Sequence, residues 1–144
     1  MELAGRRAEL LSAARELLAG SDREALTMRR LGSAVGIRAL SLYKHFRHKA
    51  DLERSLAAAG WVELAGLLSA WCSERGADLA RVERGHRRFA AENRALYRLM
   101  ADVVTPFEVE AASGPLERLL GSPAAGRKAF ATLHGEALLD LAGA

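Results

Sequence analysis

Between Thr27 and Lys49 the chain carries Arg29, Arg30, Arg38, Lys44, Arg47 and Lys49, with His45 and His48 among them, and no Asp or Glu. Hydroxyls at Thr27, Ser41 and Tyr43 share the stretch. Cationic side chains beside hydroxyl donors are the groups that hold phosphate oxygens. A solvated basic face without a partner has the same composition. Charge alone does not separate the two, so the surrounding pattern must.

The charge is also unevenly placed. Residues 1–56 hold eleven Lys/Arg against seven Asp/Glu, a net of +4, and the remainder carries −1. The formal +3 of the 144-residue chain therefore hides a one-sign patch in its first third, which points to a polyanion partner.

The elements that must position this patch read as helices. Half of the residues are hydrophobic; Ala, Leu, Arg and Glu dominate, and no window alternates as a strand would. Residues 2–19 predict an amphipathic helix with Leu3, Leu10, Leu11, Ala14, Leu17 and Leu18 on one stripe. Gly20 and Ser21-Asp22 stop it. Thr27 is placed to cap a short second helix over Met28–Val35, which Gly36 ends by permitting positive φ. A third helix is predicted over Ala39–Phe46, with Leu42 and Phe46 facing inward. A fourth starts at Lys49, carries Asp51 in its first turn, where the helix dipole favours an acid, and runs to Trp71 or Cys72. Further helices are expected over 77–92, 94–104, 108–120 and 124–142. Gly114-Pro115 marks a break or kink in the third of these, and Pro123 suits the first turn of the last.

Two short helices about a glycine turn, the second with polar and basic outward positions, form a helix-turn-helix. The major groove admits one helix and displays a readable pattern of donors and acceptors. Thr27 and Arg29 at the start of the second helix, Tyr43 and Lys44 on the third and Lys49 at the start of the fourth supply phosphate ligands. Arg38 and Lys44 suit guanine. Leu40 either packs on a thymine methyl or is partly buried. Tyr43 has a core alternative, Arg30 reads as a solvated face, and His45 either approaches phosphate or props the fourth helix.

The stretches "AAREL", "LTMRRLGSAVGI" and "SLYKHFRHKADL", within residues 8–56, resemble the DNA-binding domain of the TetR (tetracycline-repressor) family of bacterial regulators. By position, the resemblance implies backbone contacts from Thr27, Arg29, Tyr43 and Lys49. It places Arg38, Ala39, Leu40, Ser41 and Lys44 against bases. It also implies an all-α chain of two domains: 1–48, a three-helix DNA-binding domain, and 49–144, joined through the long fourth helix and devoted to effector binding and dimerisation.

The carboxy-terminal half is more weakly similar to a TetR subgroup with a His-Pro helix end and a later Trp-His-Gly. Here "RRFAAENRALYRLM" has Asn93-Arg94 for His-Pro, and "FATLHGEALLDLAG" has Leu133 for Trp. The resemblance implies a small-molecule effector among these helices. Trp61, Trp71, Phe89, Tyr97, Met100, Phe107, Phe130 and His134 are the candidate lining residues, each with plain core packing as its alternative. His134 beside Gly135 also suits close helix packing. The resemblance further implies a homodimer on a palindromic operator, with Leu138, Leu139 and Leu141 as a candidate dimer face.

Other classes find little here. Cys72 is the single cysteine, without an evident His partner, and no metalloprotease, phosphate-loop or nucleophile-elbow motif occurs. The expectation is therefore a non-enzymatic protein without metal or cofactor. No signal peptide or membrane-spanning run is read, so a bacterial cytoplasmic, nucleoid-associated protein is expected. The rival is a helical interaction protein that has lost DNA binding and sequesters another regulator. The acid-free basic stretch speaks against it.

Overall fold

The computed structural model describes the backbone of residues 2–143 and the side chains of residues 5–143. Leu3 of the predicted stripe, and Ala144, lie outside the described side chains. Among the described residues every regular element is helical: α1 Glu2–Gly20, a 3-10 turn Arg23–Ala25, α2 Met28–Val35, α3 Ala39–Leu42, α4 Lys49–Ser73, α5 Leu79–Glu92, α6 Arg94–Asp102, α7 Pro106–Leu120 and α8 Pro123–Gly143.

The chain divides into two compact units, 1–58 with 95–103, and 59–94 with 104–144. The first unit thus draws on the start of α4 and on nearly all of α6. Its core is built from Leu10, Ala14 and Leu18 of α1, Leu31 of α2, Leu42 and Phe46, and Leu52 and Leu56 of α4, all buried. Leu96, Tyr97, Leu99 and Met100 of α6 are buried as well. Burying a large aliphatic or aromatic side chain contributes about 1.5–3 kcal/mol, so these residues outweigh the weak propensity of the short helices.

In the second unit α7 and α8 pack along each other, and α5 packs on α8. Gly114-Pro115 does not break α7. The helix runs on through Pro115, which is buried with Ala112, Ser113 and Leu116, and core packing outweighs the one ladder bond a proline forgoes. Thr105 and Glu108 form a capping box at its start, so α7 begins two residues earlier than expected. Asp78 caps α5 through Arg81 N and sets its start at Leu79. Leu141 is 2% exposed, on the core side of α8, so the predicted dimer face loses it. Leu139 is 73% exposed.

By length and composition α4 is apolar enough to cross a bilayer. Leu52, Leu56, Trp61, Leu64 and Leu68 of α4 are buried, and 33% of its most apolar window is buried inside the protein.

Candidate nucleic-acid interface

The interface begins at Thr27. Its Oγ1 accepts from Arg30 N at 3.1 Å, capping α2 and leaving the hydroxyl hydrogen free to donate outward. Gly36 closes α2 at φ 72°, and Ile37 N reaches back to Gly32 O at 2.9 Å. Gly32 is the tighter requirement: a Cβ there would stand 2.7 Å from Ile37 O. Only a glycine lets the α2 backbone approach the turn so closely. Sequence reasoning missed this position, although a glycine inside an eight-residue helix was the signal.

Helix α3 is shorter than predicted, Ala39–Leu42. Beyond it Tyr43–His45 form a turn, with His45 N and Phe46 N both on Leu42 O. The turn is held from α1. Arg7 Nη1 donates to His45 O at 2.5 Å and Nη2 to Ser55 Oγ at 2.7 Å, while the guanidinium stacks 4.6 Å over the Phe46 ring. Arg7 therefore ties α1, the end of the turn and α4 together.

The start of α4 is fixed by two residues. His48 Nδ1 accepts from Asp51 N at 3.1 Å, and Asp51 Oδ2 accepts from Arg47 N at 3.0 Å. That second bond chiefly holds the Asp51 carboxyl below its usual range. Asp51 was expected in this turn. The capping by His48 was not, since histidine seldom serves there. Lys49 follows, half-buried, with Nζ 3.0 Å from Arg23 O.

The outward residues are then explicit. Arg29, Arg38, Ser41 and Lys44 are exposed, Leu40 is 79% and Tyr43 49% exposed, and Thr27, Ala39, His45 and Lys49 are half-buried. The buried alternative for Leu40 does not describe the structure, and Tyr43 is about half buried. Arg30 is exposed, with Nη1 3.4 Å from Ala25 O. Leu42 and Phe46 face inward, fully buried.

The effector candidates are distributed differently. In the second unit Trp61, Phe130 and His134 form one aromatic cluster, with centroids 5.7–6.0 Å apart. His86, unforeseen, joins it 6.5 Å from Phe130. Burial pushes its imidazole down to about 4, with His134 adding to the shift. Phe89 is buried and Trp71 half-buried. Tyr97 and Met100 belong to the first unit, both fully buried, and Phe107 is 73% exposed. Two clefts of the second unit, about 260 and 660 Å³, are lined by none of the eight. Among the described residues no three metal-ligating side chains converge. Burial pushes the half-buried Cys72 thiol up, which opposes thiolate formation.

Two short helices across a left-handed glycine turn, with Arg29 on the first and Arg38 and Lys44 flanking the second, have the arrangement of a helix-turn-helix. Residues 10–56 match the family model described as bacterial regulatory proteins, tetR family. Over these residues, about a third of the chain, it is similar to the DNA-binding domain of that family. Its fold is similar to that of a protein with unknown function from Rhodococcus sp. RHA1, at TM-score 0.72 and 26% identity over 95% of this chain and 83% of that one. It is similar also to a possible TetR family transcriptional regulator from Streptomyces coelicolor A3(2), at TM-score 0.69 and 24% identity over 94% of this chain and 71% of that one. No curated protein gives a significant match.

Proposed function

We propose that the chain is a cytoplasmic, ligand-responsive repressor that binds a palindromic operator as a homodimer. The observation that carries the reading is the exposed set Arg29, Arg38, Leu40, Ser41, Tyr43 and Lys44, in a stretch from Thr27 to Lys49 that contains no Asp or Glu. Thr27, Arg29, Tyr43 and Lys49 hold phosphates, with His45 beside them. Arg38, Ala39, Leu40, Ser41 and Lys44 meet base edges in the major groove. Two copies about a two-fold axis read half-sites one helical turn apart.

A small-molecule effector releases the operator by favouring a state in which α4 is displaced and the half-site spacing is wrong. It shifts that balance only by its differential affinity for the two states. The aromatic cluster of Trp61, Phe130 and His134, with Phe89, is one candidate seat. The cleft of about 260 Å³ lined by Leu79, Leu120, Ala129 and Leu133, with Glu83 and Lys128 at its rim, offers open apolar volume and is the other. No catalytic role enters this reading.

The test is selection from randomised duplex at two salt concentrations, with sequencing of the bound fraction. A recovered palindrome with salt-sensitive affinity is the expected result. Absence of enrichment at both salts overturns the reading and favours a protein that sequesters another regulator.

A further inference from the structure

Arg23 belongs to none of the groups of residues assigned above. It opens the 3-10 turn before α2, and its guanidinium meets two carboxylates at once. Nε donates to Glu53 of α4, and Nη1 to Asp102 of α6. Glu53 is only 9% exposed, and a buried carboxylate stripped of its counter-charge is costly. Asp102 is more exposed, and it stands on the segment 95–103, which clusters with the first unit.

The Arg23 backbone is engaged as well. Its carbonyl accepts from Leu26 N at 3.2 Å and from Lys49 Nζ at 3.0 Å. An ammonium has three N–H donors. One is on this carbonyl, which leaves two for phosphate oxygens without any loss of the first.

We propose that Arg23 is a positioning residue for the DNA interface: gripped by Glu53 and Asp102, it fixes the carbonyl that restrains the Lys49 ammonium at the start of α4. This rests on the reading of Lys49 as a phosphate contact. A lysine restrained before binding loses less rotamer freedom on binding, an advantage of about threefold to tenfold in affinity. Through Asp102, α6 takes part in setting where that ammonium stands.

The test is a double-mutant cycle on the full chain, with affinity for the selected duplex followed by anisotropy over a salt series. Lys49→Ala lowers the salt slope by about one unit. Arg23→Met weakens binding about threefold to tenfold and leaves the slope unchanged, because Arg23 neutralises no phosphate. In the Lys49→Ala background the same change costs less than about twofold, since its effect runs through Lys49. Asp102→Asn breaks only a partly exposed pair, so it keeps the melting temperature. It weakens binding about twofold, again only while Lys49 is present, and it carries the test if Arg23→Met does not fold. Equal losses with and without Lys49, or a slope lowered by Arg23→Met itself, overturn the proposal. If instead Lys49→Ala leaves the slope unchanged while the wild type binds DNA, the premise about Lys49 fails and the proposal falls with it. A wild type that binds no DNA refutes the functional reading itself.

Discussion

Gly32→Ala sets two effects of opposite sign against each other. Alanine in place of glycine inside a helix gains about 1 kcal/mol. At position 32, however, the added Cβ would lie 2.7 Å from Ile37 O and 3.4 Å from Ala39 N, both backbone atoms. Neither can rotate away as a side-chain tip would. Relief requires α2 and the turn to separate, which strains the 2.9 Å bond from Ile37 N to Gly32 O. Overpacking costs about 1–3 kcal/mol, and a weakened hydrogen bond adds about 0.5–1.5 kcal/mol. The expected net is a loss of about 1–2 kcal/mol. Affinity for the operator falls by tenfold or more, because residues 37–39 are where α3 begins. Gly66→Ala in α4 is the control: that position is exposed with nothing within 4 Å of an added Cβ, so it gains about 0.5–1 kcal/mol. Urea unfolding followed by circular dichroism, with anisotropy titrations on DNA, reads both variants. A Gly32→Ala protein as stable as the wild type, with unchanged DNA affinity, would refute the close-approach reasoning.

Three other variants probe separate parts of the molecule. Arg7→Met removes the donors to His45 O and Ser55 Oγ and the cation over Phe46; it is expected to cost about 1–3 kcal/mol in urea unfolding and to weaken binding to specific and random DNA alike. Arg38→Ala is expected to cost about 1–3 kcal/mol on the operator and to relax preference at one base pair per half-site; equal losses on random duplex would reduce Arg38 to a backbone contact. His86, held down to about 4 by burial, takes up its proton near pH 6.5 once unfolded. Stability is therefore full above pH 6.5 and falls by roughly 3 kcal/mol as pH drops from there to about 4. His86→Phe should flatten that decline, leaving the smaller contribution of His134, whose imidazole burial also pushes down. An unchanged pH profile would remove His86 as its cause.

Much of the first unit was legible in the chain, for definable reasons. Thr27 and Gly36 bound α2 because a β-region cap and a left-handed terminus have few residue solutions. Leu42 and Phe46 point inward because their spacing leaves them no other face. The end of α3 was not legible. The turn beyond it is held by a guanidinium from α1, 38 residues earlier in the chain, and no local pattern announces a contact of that range. The link from α6 was hidden for the same reason, since Asp102 and Arg23 lie 79 residues apart. In the second unit large aromatic residues mark a core and a pocket equally well, so their identity gave candidates without geometry. Tyr97 and Met100, which are candidates for a pocket or for the core, illustrate this: they are fully buried in the first unit.

A recognition helix of four residues cannot maintain its own geometry. Fixing one turn costs more conformational entropy than its single hydrogen bond returns. The surface proposed to meet bases must therefore be held from behind, and each hold has a named source. Gly36 sets the direction in which the chain leaves α2. Gly32 lets the turn close, Leu42 and Phe46 anchor one face in the core, and Arg7 takes the carbonyl at the far end. The exposed residues Arg38, Leu40, Ser41 and Lys44 contribute little to any of this. Substitutions at such surface positions usually change stability by no more than about 0.5 kcal/mol. The division separates two properties that a DNA reader must keep apart. On the proposed reading, operator choice resides in side chains that the fold does not need, and the ability to present them resides in residues that do not touch the bases.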